Sequence, residues 1–406
     1  MSRRSTTLGL LCLAALTALS VAGCGTATPA ATPTATRTPA PAAPLASSTP
    51  EVSKATSESL PTPTVTPAPS ATPDDSAATP FPPDVNPLTG LRLEDPSPLD
   101  RIPVAIKVSN SPEVRPQSGL GSADLVFEHF AEGGITRYTA VFYGASPEMV
   151  GSVRSGRLID LEVPAMYQAI FGYSGSSAGV KERIRNSDLF PDRIAAPDFG
   201  VGEPYFYRVP QEGKAFEHTL FSDPEVLREL ASERGIDGRP DFGSQMSFSE
   251  ATPAGGEPVT YFEVNYLTGT CTGEWEYLPE SATWGRSIAG TAHTDALTGR
   301  RVTAANILVV FANHVYTDIL EDTWGGGHMS IEVQVWGQGS ALLFRDGQMF
   351  SGLWQREARD DMLTFYYGDG SSLPLKPGNS WIQLVPLETE ASRPADRQVV
   401  LTPPKM

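Results

Sequence analysis

From residue 84 onward the chain reads as short apolar runs broken by turn residues. Runs 104–108, 123–130, 137–143 and 169–173 are rich in apolar, β-branched and aromatic side chains, with Gly, Pro, Ser and Asn between them. That pattern predicts strands. Bulky groups fall on both alternate faces of 125–130, so this strand is predicted to lie in the middle of its sheet. Glu132-Gly133-Gly134 between two runs predicts a hairpin turn, because glycine tolerates positive φ. Segment 224–234 (PEVLRELASER) carries a helical apolar stripe, with Asp223 placed to cap its start and Gly235 to stop it. Strands mixed with few helices predict an α+β first domain, 84–252, built on a mixed sheet.

A Gly/Pro-rich stretch at 251–258 predicts a hinge. Beyond it, runs 259–267, 274–278, 307–315, 329–336, 341–344, 363–367 and 381–385 are separated by turn signals such as Asp346-Gly347 and Asp369-Gly370. They predict a second, mostly antiparallel β domain over 256–390. All six tryptophans (275, 284, 324, 336, 354 and 381) fall in this half. They suit a β core or sheet cover, and they equally suit a surface on which sugar rings stack through apolar C–H patches.

The N-terminus follows different rules. Arg3 and Arg4 precede an apolar run, 8–22, that is short for a membrane span and matches a secretory signal over 1–23. The run ends Leu19-Ser20-Val21-Ala22-Gly23-Cys24, which resembles the bacterial lipobox. That resemblance implies cleavage before Cys24, its acylation with palmitate-like chains, and anchoring to the cell membrane. Each buried methylene adds about 0.8 kcal/mol to such an anchor. Next comes a tether, 24–83. Pro, Thr, Ala and Ser make up 47 of the 59 residues from 25 to 83, leaving too little apolar surface to offset ordering entropy, so disorder is predicted.

Charge narrows the partners. A net charge of −17 on the 406 residues sits almost wholly in the part after the tether. It argues against nucleic acid, which requires clustered Lys and Arg, and against docking on anionic lipid by a basic surface. With Cys12 in the leader and Cys24 acylated, Cys271 stands alone in the folded part, as a packing residue. Nucleophile-elbow, Walker, dinucleotide and zincin motifs are missing, and the five histidines lack ligand spacing. No cofactor and no metal are expected.

Candidate chemistry concentrates near turns of the first domain: Arg115, Gln117, Glu128, Glu132, Arg137, Arg154 and Arg157. Arginine's planar fork suits carboxylates and phosphates, so the set would form either a salt-bridge network or a cleft for an anionic ligand. If the hairpin centres on Glu132-Gly133, Glu128 faces Arg137; if it centres on the two glycines, Glu128 faces Thr139. Glu128 and Glu132 would alternatively serve as the paired carboxylates of a wall hydrolase or transferase. His293 and Asp295, in a Gly/Thr-rich loop, form a secondary candidate as a base pair or turn brace.

NPLTGL (86–91), RPQSGL (115–120), ADLVFEHFAEGGITR (123–137), SVRSGR (152–157), GTAHTDALTG (290–299), GLW (352–354) and SWIQLVP (380–386) together resemble the YerB-like bacterial lipoproteins. The chain departs from that pattern at Ser152, Gly156 and the EHTLF of 217–221. The resemblance implies an extracytoplasmic lipoprotein of two adjoining domains of unknown function. The expectation is therefore a membrane-anchored cell-envelope protein that binds an anionic wall polymer or partner protein without catalysis, with the hydrolase as the alternative.

Overall fold

A computed structural model describes residues 81–406, apart from 243–244, 267 and the side chain of residue 324. The leader, Cys24 and the tether up to residue 80 lie outside the described residues.

A twelve-stranded sheet organises the molecule. Its first-segment strands are Val104–Ser109, Leu125–Phe130, Thr136–Phe142, Ile170–Gly172 and Ile194–Ala195. Leu125–Phe130 and Thr136–Phe142 pair antiparallel, while Val104–Ser109 and Ile170–Gly172 pair parallel, so this part of the sheet is mixed as expected. The second segment adds Asn306–Asp322, His328–Gln334, Gly337–Arg345, Gln348–Arg356, Thr364–Tyr366 and Ser380–Pro386, mostly antiparallel. The two segments meet where Leu125–Phe130 runs parallel to Ser380–Pro386, with Val126 opposite Trp381 and Glu128 opposite Gln383.

A seven-stranded sheet, including Tyr261–Val264, Gly273–Leu278, Thr283–Ile288 and Gln398–Thr402, packs on one face of the large sheet. Helices Ala178–Arg185 and Pro224–Glu233 complete the α+β half. Asp223 caps the latter by accepting from the Glu225 N–H at 2.7 Å, as its sequence predicts.

Strand alternation explains why 125–130 is buried throughout. Leu125 and Phe127 enter one core, and Val126 and Phe130 enter the other. Each such side chain contributes about 1.5–3 kcal/mol on full burial. Part of 251–258, the stretch expected as a hinge, is bonded to the sheet. Glu257–Pro258 pairs with Gln348 and Met349, and the Arg345 guanidinium donates to the Ala251 carbonyl at 3.4 Å. Gly256 serves a close approach, since a Cβ there would collide with the Gln348 and Phe350 side chains.

Candidate functional site

The turn at 132–134 sets the register of the charged residues. Gly133 and Gly134 both adopt φ near +70°, and the Ala131 N–H donates to the Ile135 carbonyl at 2.8 Å. The resulting loop places His129 opposite Arg137 and Glu128 opposite Tyr138. Neither expected pairing of Glu128 occurs, because the loop is odd-numbered, 131–135, and centres on Gly133 alone, so the register falls between the two simple hairpins.

Alternation then sends Glu128 and His129 to opposite faces. On the His129 face lies a buried ionic network. The Lys107 ammonium donates to Asp160 at 2.8 Å, to Thr139 Oγ1 at 3.0 Å and to His129 Nε2 at 2.6 Å. His129 Nδ1 donates to the Phe130 carbonyl at 2.7 Å, which leaves Nε2 as the acceptor of the lysine proton. Burial, with Lys107 next to it, holds His129 well below its usual range and so neutral. Burial also pulls Lys107 down to about 8, against the pull of Asp160.

This network continues to the turn. Glu132 accepts from Arg137 at 2.6 Å and grips Arg157 through both of its oxygens, with Arg157 Nε at 2.6 Å. Glu321, 2 % exposed, reaches in from the long strand to within 3.6 Å of Arg157. Counted at ordinary ionisation, Lys107, Arg137 and Arg157 balance Asp160, Glu132 and Glu321. Two of the expected anion-gripping arginines are therefore neutralised from within.

On the opposite face, Glu128 is fully buried between the two sheets. Arg286 donates to it at 2.8 Å, Trp381 Nε1 at 3.0 Å and Thr136 Oγ1 at 2.8 Å. The Arg286 guanidinium lies 4.4 Å from the Trp381 ring and 5.0 Å from the Trp275 ring, so aromatic faces share its charge. Arg286 escaped the sequence reading. The signal was present: Trp284, Arg286 and Ile288 alternate along one strand, which puts an arginine in an apolar row and demands a buried partner.

The remaining candidates are braces. Arg115 donates to Asn110 Oδ1 at 3.1 Å, and Gln117 donates to the Ser109 carbonyl at 2.9 Å. Gln117 Oε1 then accepts from His293 Nε2 at 2.8 Å. Burial keeps His293 well below its usual range, and Arg286 adds to this. Asp295 accepts from the Gly121 and Leu297 amides at 2.8 and 2.9 Å, fixing a turn rather than partnering His293.

Arg154 differs from all of these. It is half-buried, burial lowers its pKa, and among the described residues its guanidinium makes no hydrogen bond or ion pair. Two residues before it, Ser152 lines a cavity of about 140 Å³ together with Ser118, Gln211, Lys214 and His218. Ser152 Oγ and His218 Nδ1 are buried there without partners. An unsatisfied buried polar atom costs about 1–3 kcal/mol, so both are poised to accept one. Glu113 and Glu217, which feel the Arg154 charge, adjoin the lining residues Val114 and His218. His218, which sequence pattern singled out only as a departure, thus lines this cavity. Among the described residues no group of three or more His, Cys, Asp or Glu is placed to hold a metal.

A mixed sheet shared by an α+β segment and a β segment, with its acidic residues locked in ion pairs, defines a two-segment α+β protein. The chain belongs to a family of unknown function (DUF3048): its N-terminal domain matches residues 88–237 and its C-terminal domain matches 262–382. The chain is 32% identical over 303 residues to YerB of Bacillus subtilis (strain 168), which is named as a lipoprotein; the match covers 74% of this chain and 86% of that protein. It also resembles the crystal structure of B. subtilis YerB, with a TM-score of 0.61 and 29% identity, over 74% of this chain and 96% of that one.

Proposed function

We propose that this chain is a lipid-anchored extracytoplasmic protein that binds an anionic ligand of the cell envelope and does no chemistry on it. Cys24 would carry the anchor, since it ends an apolar leader and opens a tether. Cys24→Ala should leave unprocessed precursor or release the protein from the membrane fraction; a variant still processed and lipid-labelled excludes that residue.

The observation that supports binding is the cavity lined by Lys214 and by two unpaired buried polar atoms, with Arg154, a half-buried guanidinium without an ion pair among the described residues, two positions along the chain from its Ser152. A partly desolvated cation is stabilised by an incoming carboxylate or phosphate. The non-catalytic reading is supported by the surroundings of both acids: Glu128 is buried between the sheets on Arg286, and Glu132 already holds two arginines.

The test is co-sedimentation of the full chain with isolated bacterial wall, with soluble fragments assayed in the supernatant. Arg154→Ala and Lys214→Ala should each weaken sedimentation by roughly threefold to thirtyfold, the effect of losing one charge-assisted contact. Fragment release that Glu132→Gln abolishes would overturn the non-catalytic reading. Unchanged sedimentation of both variants would overturn the site.

A further inference from the structure

Four of the five tryptophans whose side chains are described are buried: Trp275, Trp284, Trp354 and Trp381 are at most 2 % exposed. Trp336 is 45 % exposed, although it sits between two strands of the large sheet. Exposure of one indole needs no explanation by itself, so its surroundings decide what it can do.

What surrounds Trp336 is specific. It lines an open groove of about 140 Å³ with Asn313, Gln334, Gln338, Trp354 and Leu387. No residue lining the groove is charged, on a protein whose net charge is −17. Three carboxamides thus ring one exposed indole. A carboxamide offers a donor and an acceptor side by side, matching vicinal hydroxyls, while an indole face matches the apolar C–H face of a pyranose.

The groove is also held rigid. Asn313 Nδ2 donates to Gln334 Oε1 at 2.9 Å, and Gln334 Nε2 donates to Glu332 at 3.2 Å, and among the described residues no donor reaches Asn313 Oδ1. Trp354 Nε1 is tied to the Phe311 carbonyl at 2.9 Å. Trp354 lies across Gly339, its cross-strand partner, where a Cβ would stand 2.5 Å from the indole nitrogen. The floor of the groove therefore depends on that glycine.

We infer that this groove binds a neutral pyranose glycan, with Trp336 as the stacking platform and Asn313 and Gln338 as hydroxyl partners. An anionic ligand would find no counter-charge among the lining residues. The assignment is independent of the anion site, because no residue is shared between the two cavities.

The experiment titrates the full chain in detergent with uncharged tetrasaccharides of β-linked GlcNAc, glucose, mannose and galactose, by calorimetry. At least one should bind saturably, and Trp336→Ala should weaken it about tenfold or more, since an aromatic contact of this kind contributes on the order of 1.5 kcal/mol. Gln338→Ala should weaken it severalfold. Arg154→Ala should leave it unchanged, which separates this site from the anion site. Melting of Trp336→Ala should match the parent, as the residue is exposed. No saturable binding by any of the four sugars, or full binding by Trp336→Ala, overturns the assignment.

Discussion

Arg157 and Arg154 stand three residues apart in one loop, yet they have opposite surroundings. Arg157 is 8 % exposed at its side chain, is clasped by Glu132 and is approached by Glu321. Arg154 is half-buried, and among the described residues it holds no acid in a hydrogen bond or ion pair, with Glu217 and Glu113 acting on it only at longer range. The difference comes from the sheet. Arg157 turns toward the core that contains Lys107, Asp160 and the end of the long strand, where any charge must be matched. Arg154 follows Ser152, a residue that lines a cavity, by two positions and stays half-buried without an ion pair among the described residues. Clustered arginines in sequence are thus two populations, one compensated inside the fold and one left for the outside.

The comparison can be broken most forcefully at Arg286. Arg286→Ala strands the Glu128 carboxylate between two sheets, and about 3–5 kcal/mol of stability should be lost by chemical denaturation. A loss below 1 kcal/mol would mean that the interior is not charge-matched in the way described.

Lys107 gives a second, pH-dependent probe. Its folded value is about 8 against an ordinary 10.5, so between those pH values the unfolded chain binds the proton that the folded chain has given up. Stability must therefore rise with pH across that window, by up to about 3 kcal/mol, relative to Lys107→Met, which has no such proton. Parallel pH profiles for the two proteins would show that the lysine is solvated.

The smallest effect belongs to Arg154→Ala. With no ion pair to break, it should shift stability by less than about 0.5 kcal/mol while weakening wall binding. A large stability loss would place Arg154 with Arg157 among the compensated charges, and the contrast between them would vanish.

Much of the fold is legible in sequence. The alternation in 104–143, the capped helix after Asp223 and the antiparallel character of the second half all follow from local rules. Two things do not. The join between Leu125–Phe130 and Ser380–Pro386 links residues some 250 apart, and no local pattern reports it. The hairpin register was equally hidden, because both glycines take positive φ and the loop extends to five residues, 131–135. Once that register is known, the split of Glu128 from Glu132 and Arg137 follows from pleat geometry alone. The cavity that includes Ser152 and His218 joins four separate stretches of chain, 114–118, 152, 211–221 and 296, so only the fold assembles it.

The place of strand Ser380–Pro386 has a further meaning for how the chain comes to be folded. It lies between Leu125–Phe130 on one side and Asn306–Asp322 on the other, parallel to both. A chain made from its N-terminus onward has therefore produced more than nine-tenths of its length before this strand exists. Until then, two strands wait with unpaired backbone edges, each a template for wrong pairing. Closure then demands contacts of very large sequence separation, the kind that form slowly. A chain truncated before residue 380 would leave two sheet fragments with open flanks, and its fate would be aggregation or proteolysis rather than a smaller working protein.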